Sequence, residues 1–74
     1  MDSAKYRVTG PCFYLDDDKS LVAVPLGTSV EVSQLPGAVL MRWTDPWNER
    51  RQQYYTPEMW IRHVSKQIQL IEQN

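Results

Sequence analysis

The chain has one cysteine, Cys12, and one histidine, His63. A single thiol cannot close an internal disulfide, and it cannot supply the several thiolates of a structural zinc site. No Asp or Glu stands at ligand spacing from the lone imidazole; Glu58 is five residues before it. The three glycines are too scattered to form a phosphate-cradling loop. No serine or threonine lies in a nucleophile elbow, and nothing around Cys12 supplies a base. No enzyme class, metal or cofactor is expected from such a sequence. No apolar run approaches the length of a membrane span, and Met1–Tyr6 lacks the apolar centre of a secretory leader. With so little cysteine, the expectation is a soluble protein of the reducing cytoplasm. The net charge of −1 gives no global field that would draw in nucleic acid.

What the sequence does hold is aromatic. Three Trp and four Tyr in 74 residues are a large allotment, and with 42% hydrophobic residues they point to a packed globular core. The length allows one domain, close to the lower limit for a self-sufficient core. Self-association is one remedy for that shortage. Charge is mildly split. Residues 1–41 carry three basic and five acidic side chains, and residues 42–74 carry five basic and four acidic.

Residues 1–5 are polar and expected to be loose. "YRVTG" and "CFYL" read as short strands separated by Gly10-Pro11. Asp16, Asp17 and Asp18 follow, and then the β-branched run "SLVAVPL". "SVEVSQL" alternates, with Val30 and Val32 on one face and Glu31 and Ser33 on the other, which is the period of a half-buried strand. Pro36-Gly37 is a turn signal, and "AVLMRW" is β-prone, so residues 29–43 are predicted to form a hairpin. "TDPWNERRQQ" reads as an extended loop or as two strand ends with an irregular tip. Thr56-Pro57-Glu58 is a helix start: an N-cap hydroxyl, proline at the first helical position and an acid at the positive end of the dipole. Beyond it the spacing is ambiguous. Trp60, Ile61, Val64, Ile68 and Ile71 share a helical face, whereas Trp60, Val64, Ile68 and Leu70 share a strand face. The preferred reading is one helical turn over residues 57–60 and a strand from Ile61. The alternative is an α+β chain with a C-terminal helix over residues 57–72.

Two stretches resemble a known family. "LGTSVEV" (Leu26–Val32) is similar to the Gly-Thr-x-Val-x-Val strand of bacterial SH3 domains, and "YTPEMWI" (Tyr55–Ile61) to their Pro-x-x-aromatic-aliphatic segment. The resemblance covers roughly residues 6–64. It implies a mainly β fold, an SH3-like small barrel of about five short strands with a short helical turn near residues 57–60. It does not imply binding of polyproline peptides. There is no Ala-Leu-Tyr-Asp-Tyr stretch and no tandem Trp pair, Trp43 and Trp47 being four apart around Pro46.

Among candidate sites, Asp16–Asp18 lacks the ligand spacing of a calcium loop and reads as a solvated turn. His63 reads as a surface or half-buried residue, and Cys12 as a small buried hydrophobe. The informative stretch is "RWTDPWNERRQQYY" (Arg42–Tyr55). Trp and Arg are enriched at interface hot spots, so Trp47, Arg50, Arg51, Tyr55 and Arg42 are the candidate partner-binding residues. Trp47, beside Pro46 in a polar loop, is the side chain expected to be exposed beyond structural need, while Trp43 is expected in the core. Tyr54 and Tyr55 alternate, so one faces in and the other out.

Three functions follow, in order. The first is a small non-enzymatic protein-interaction module or regulator, of the kind a phage or other mobile element encodes, with an unknown protein partner. The second is a self-associating structural component, a homodimer through Ile61, Val64, Ile68 and Ile71. The third is a single-stranded nucleic-acid-binding small β-barrel using Arg42, Arg50, Arg51, Arg62 and Lys66. The net charge and the acidic first half weigh against the third.

Overall fold

The computed structural model describes residues 3–73. Seven strands form in the order β1 (Ser3–Val8), β2 (Phe13–Leu15), β3 (Leu21–Ala23), β4 (Ser29–Leu35), β5 (Ala38–Thr44), β6 (Arg50–Tyr55) and β7 (Ile68–Gln73). The expected hairpin is present as β4 and β5. Antiparallel register runs from Glu31 opposite Arg42 to Leu35 opposite Ala38, around Pro36 and a Gly37 at φ 74°. That backbone region is open to glycine at little cost, which is why a Pro-Gly pair reverses the chain here. β1, β4, β5, β6 and β7 form one antiparallel sheet in the order β6-β5-β4-β1-β7, and β2 and β3 form a separate two-stranded hairpin. The fold is therefore mainly β, but the sheet is not closed into a barrel: β6 and β7 each keep a free edge.

Alternation decides what goes inside. Val30 and Val32 of β4, Val39, Met41 and Trp43 of β5, and Tyr55 of β6 point to one side and are buried. The β2–β3 hairpin lends Tyr14 to the same core, with Cys12 and Val24 beside it, and the segment after β6 contributes Trp60 and Val64. Tyr14 meets Trp43 edge to face at 4.9 Å, and Tyr55 meets Trp60 likewise at 5.6 Å. Such pairs add to the area that each ring buries.

Three expectations are corrected. Residues 3–5 are not loose: they belong to β1, with Ser3, Ala4 and Lys5 opposite Ser33, Val32 and Glu31; residues 1–2 lie outside the described residues. The described residues form seven strands rather than about five, because the acidic turn joins a short hairpin of its own.

The segment after Thr56 has the helical turn and the final strand of the preferred reading, but the helical part runs on to Gln67 and the strand begins at Ile68 rather than Ile61. An α turn at Pro57–Met59, capped by Thr56 Oγ1 accepting from the Met59 N–H, continues as a π turn over Trp60–Val64 and a 3₁₀ turn over Ser65–Gln67. Only then does β7 begin. Trp60 and Val64 are four apart and both buried, while Ile61, Arg62 and His63 between them face solvent, the signature of a helical period. β7 cannot start earlier because β1 offers no ladder beyond Val8, which pairs with Ile68. Past it, Thr9 and Gly10 donate their N–H groups to the Gln67 carbonyl, and Pro11 has no N–H to give.

Candidate functional site

The five candidate residues do not converge. Trp47 is 77% exposed, as expected, on the turn between β5 and β6. Arg42 and Arg50 project from the outer face of the sheet, and Arg42 pairs with Glu31 on the neighbouring strand. Tyr55 is a correction. It is buried, because Tyr55 stands opposite the buried Val39 and so shares its inward face, whereas Tyr54 is the outward tyrosine. Burial holds the Tyr55 phenol well above its ordinary pKa, and its hydroxyl lies 3.4 Å from the Phe13 carbonyl, to which it donates.

Arg51 has structural partners. Its Nε donates to Asp45 Oδ2 at 2.9 Å, and its terminal nitrogens reach Asp16 Oδ1 at 3.4 Å and Glu49 Oε2 at 3.3 Å. The two aspartates open two reversals of the same design. In "DDDKS" the Lys19 N–H donates to the Asp16 carbonyl and the Asp16 N–H to the Ser20 carbonyl, with Lys19 at φ 66°. In "DPWNE" the Asn48 N–H donates to the Asp45 carbonyl and the Asp45 N–H to the Glu49 carbonyl, with Asn48 at φ 64°. Each is a four-residue turn closed by a left-handed residue, a common hairpin connection. The cluster of three aspartates is thus a hairpin bend, and Arg51 clamps it to the second bend.

Asp45 is the keystone of that second bend. Its Oδ1 accepts from the backbone N–H groups of Trp47 and Glu49 at 3.0 and 2.8 Å. Desolvation raises the Asp45 pKa, but the Glu49 N–H, the Arg51 guanidinium and the Trp47 N–H outweigh it and hold the carboxyl below its usual range. Trp47 therefore stands on a pinned backbone with its indole in solvent.

A second surface does converge. A groove of about 490 Å³ runs between the β2–β3 hairpin, the end of β6 and the helical segment. Its floor is Tyr14, Tyr55 and Val64, all buried. Its walls are exposed and apolar: Phe13, Leu15 and Leu21 from the hairpin, Tyr54 from β6 and Met59 from the helical segment. Leu21 alone is 67% exposed. The ionisable groups on the groove's rim are Arg62 and His63, with no Asp or Glu among the lining residues. Apolar side chains gathered this way mark contact surfaces more often than isolated ones do.

Of the five candidate residues only Tyr55 lines this groove, because the stretch Arg42–Tyr55 excludes the hairpin and the helical segment that build most of its walls. The signal was present in "CFYL": Tyr14 points inward, so Phe13 and Leu15 must point out, and Leu21 lies opposite Leu15 across the turn. A short hairpin that is apolar on both faces has one face left to cover.

Cys12 is buried, and burial pushes its thiol pKa up, away from the reactive thiolate. His63 is exposed on the groove rim. The surface expected for self-association does not form as drawn: Val64 is buried and Ile68 packs against the core, leaving Ile61 and Ile71 outward. Among the described residues no three His, Cys, Asp or Glu side chains are grouped to hold a metal ion, and no helix is long and apolar enough to cross a membrane. Comparison with known protein families, with curated proteins and with solved structures finds no match.

Proposed function

We propose that the chain is a non-enzymatic protein-interaction module of SH3-like architecture, whose groove takes an apolar peptide segment carrying an acidic residue. The architecture is supported by the acidic bend at the tip of the first hairpin, by the strand order β6-β5-β4-β1-β7, and by the helical segment that leads into the last strand. The observation that carries the function is the groove itself. Five exposed apolar side chains from three separate elements line one depression, above a floor of buried aromatics. Apolar walls with a few polar fittings suit a side-chain pocket for a peptide. The rim favours an acid in the occupant, because Arg62, which pairs with Glu58 at 3.1 Å, and the His63 ring both present N–H donors there.

A partner anchored on Trp47 is the second reading, favoured by the exposure of that indole on a rigid turn. Exposed aromatics on preorganised backbone lose little freedom on binding.

Selection from a random peptide library, followed by amide chemical-shift mapping, separates the two. The groove reading expects enriched peptides to be apolar with an acid, to perturb Leu15, Leu21 and Met59, and to lose at least about tenfold affinity, roughly 1.4 kcal/mol, in a Leu21→Ser/Met59→Ser variant. Both side chains are half exposed or more, so the variant keeps its core. Peptides that still bind this variant but fail on Trp47→Ala would move the site to the β5–β6 turn. No enrichment at all would refute both readings.

A further inference from the structure

Away from the groove, the outer face of the five-stranded sheet is positively charged although the chain is not. Register puts Lys5 and Arg7 of β1, Arg42 of β5 and Arg50 of β6 on this face. Two carboxylates join them, Glu31 and Glu72, each opposite Lys5. Glu31 is also clasped by Arg42. Arg7 and Arg50 make no ion pair among the described residues; Arg7 faces Ser29, and Arg50 faces Thr44. Most other acids are gathered elsewhere: Asp16–Asp18 on the hairpin bend, Asp45 and Glu49 on the β5–β6 bend, and Glu58 in the helical segment. The net charge of −1 thus conceals a separation of sign.

The basic face is also shaped. A depression of about 320 Å³ lies over β5 and β6, lined by Arg42, Thr44, Arg50 and Gln52 with Glu31 at its edge. Along β6 the outward residues are Arg50, Gln52 and Tyr54, repeating about every 7 Å. A cation, an amide and an exposed aromatic ring therefore stand in line. These groups meet a phosphate, a base edge and a base face respectively. An acidic peptide would use the arginines but leave the line of amide and ring unexplained. A duplex presents its bases in grooves that a flat sheet face does not enter.

We infer that this outer sheet face, centred on Arg42, Arg50, Gln52 and Tyr54 with Arg7 as an outlying contact, binds single-stranded nucleic acid. The inference does not rest on the peptide groove, which lies on the other side of β6 and shares only Tyr54 with it.

The test is fluorescence anisotropy with labelled oligo-dT and oligo-U, titrated at about 50 and about 200 mM salt. Three phosphate contacts give a logarithmic salt slope of about −2 on a single strand, so affinity falls roughly fifteenfold between the two conditions. The Arg7→Gln/Arg50→Gln variant, with both sites exposed and unpaired, reduces the slope to about −0.7 and leaves the circular dichroism spectrum unchanged. Leu21→Ser leaves oligonucleotide binding intact, which keeps failure of the groove distinct from failure of this face. Three results would each overturn the inference: no anisotropy change at the lower salt, binding indifferent to Arg7→Gln/Arg50→Gln, or poly-glutamate competing on equal terms with the oligonucleotide.

Discussion

Trp43 and Trp47 are four residues apart, chemically identical and opposite in fate, and their truncation provides the sharpest test of the fold. Trp43 is 5% exposed and packs edge to face on Tyr14. Replacing a buried Trp by Ala typically costs about 3–5 kcal/mol through lost transfer energy and the cavity left behind, and the aromatic pair adds about 0.5–1.5 kcal/mol. A chain of this length has on the order of 4–11 kcal/mol to lose at roughly 0.05–0.15 kcal/mol per residue. Trp43→Ala therefore removes a large part of the stability, and at about 4–8 °C per kcal/mol it lowers Tm by roughly 15 °C or more. Trp47 is 77% exposed, and its side chain takes no part in the hydrogen bonds that hold its turn; its backbone N–H donates one of them, to Asp45. Trp47→Ala is expected to stay within about 0.5 kcal/mol of the parent, the usual range for surface positions. Urea titration followed by far-UV circular dichroism measures both without relying on the indoles as probes. Acrylamide quenching gives an independent check: Trp47→Phe removes the accessible fluorescence and leaves the shielded Trp43 and Trp60. A Trp47→Ala variant that lost more than about 1 kcal/mol, or a Trp43→Ala variant that lost less than that, would refute the assignment of inside and outside on which the fold and both proposed surfaces depend.

Two further predictions concern the reversals. The Asp45 carboxyl is held below its ordinary pKa, so its contribution is present above the unfolded value of about 3.9 and is lost as pH falls through the folded one. Asp45→Asn should lower the urea midpoint near neutrality and flatten its decline in acid, and an unchanged acid profile would show that the carboxylate contributes nothing to the turn. Gly37 is at φ 74° with nothing within 4 Å of an added Cβ, so Gly37→Ala meets strain but no clash. Its expected cost is about 1–2 kcal/mol, seen as a lower urea midpoint at constant m, with Gly37→Asn losing less.

Where local chemistry and pattern agreed, the fold was legible. The hairpin over residues 29–43 needed only alternation and a Pro-Gly pair, and both lie in adjacent sequence. Asp16–Asp18 was readable as a bend for a similar reason, since aspartate side chains hydrogen-bond to backbone within a few residues and so favour turns. The same design at Asp45–Glu49 was not legible, since "TDPWNERRQQ" fits an extended loop as well as two strand ends with an irregular tip. Nor was the link between the two bends, because it runs through Arg51, which is 35 residues from Asp16. The site was less legible than the fold. Exposure of Trp47 followed from its polar neighbours and Pro46, but the parity of Tyr54 and Tyr55 required the register of β6 against β5. The groove required the hairpin to lie beside β6 and the helical segment, a placement that no local period encodes.

From its amino acids alone this chain determined its β character, its bend at Asp16–Asp18, its reversal at Pro36-Gly37 and the helix start at Thr56. These depend on bonds and rotational preferences spanning no more than about five residues. Tertiary structure decided the rest: which tyrosine is sealed, that the helical segment persists to Gln67 because β1 has no more edge to offer, and that leftover apolar and basic side chains collect on two different faces. Burial belongs to a pair of surfaces rather than to a residue, so it is determined only once the partner surface is in place.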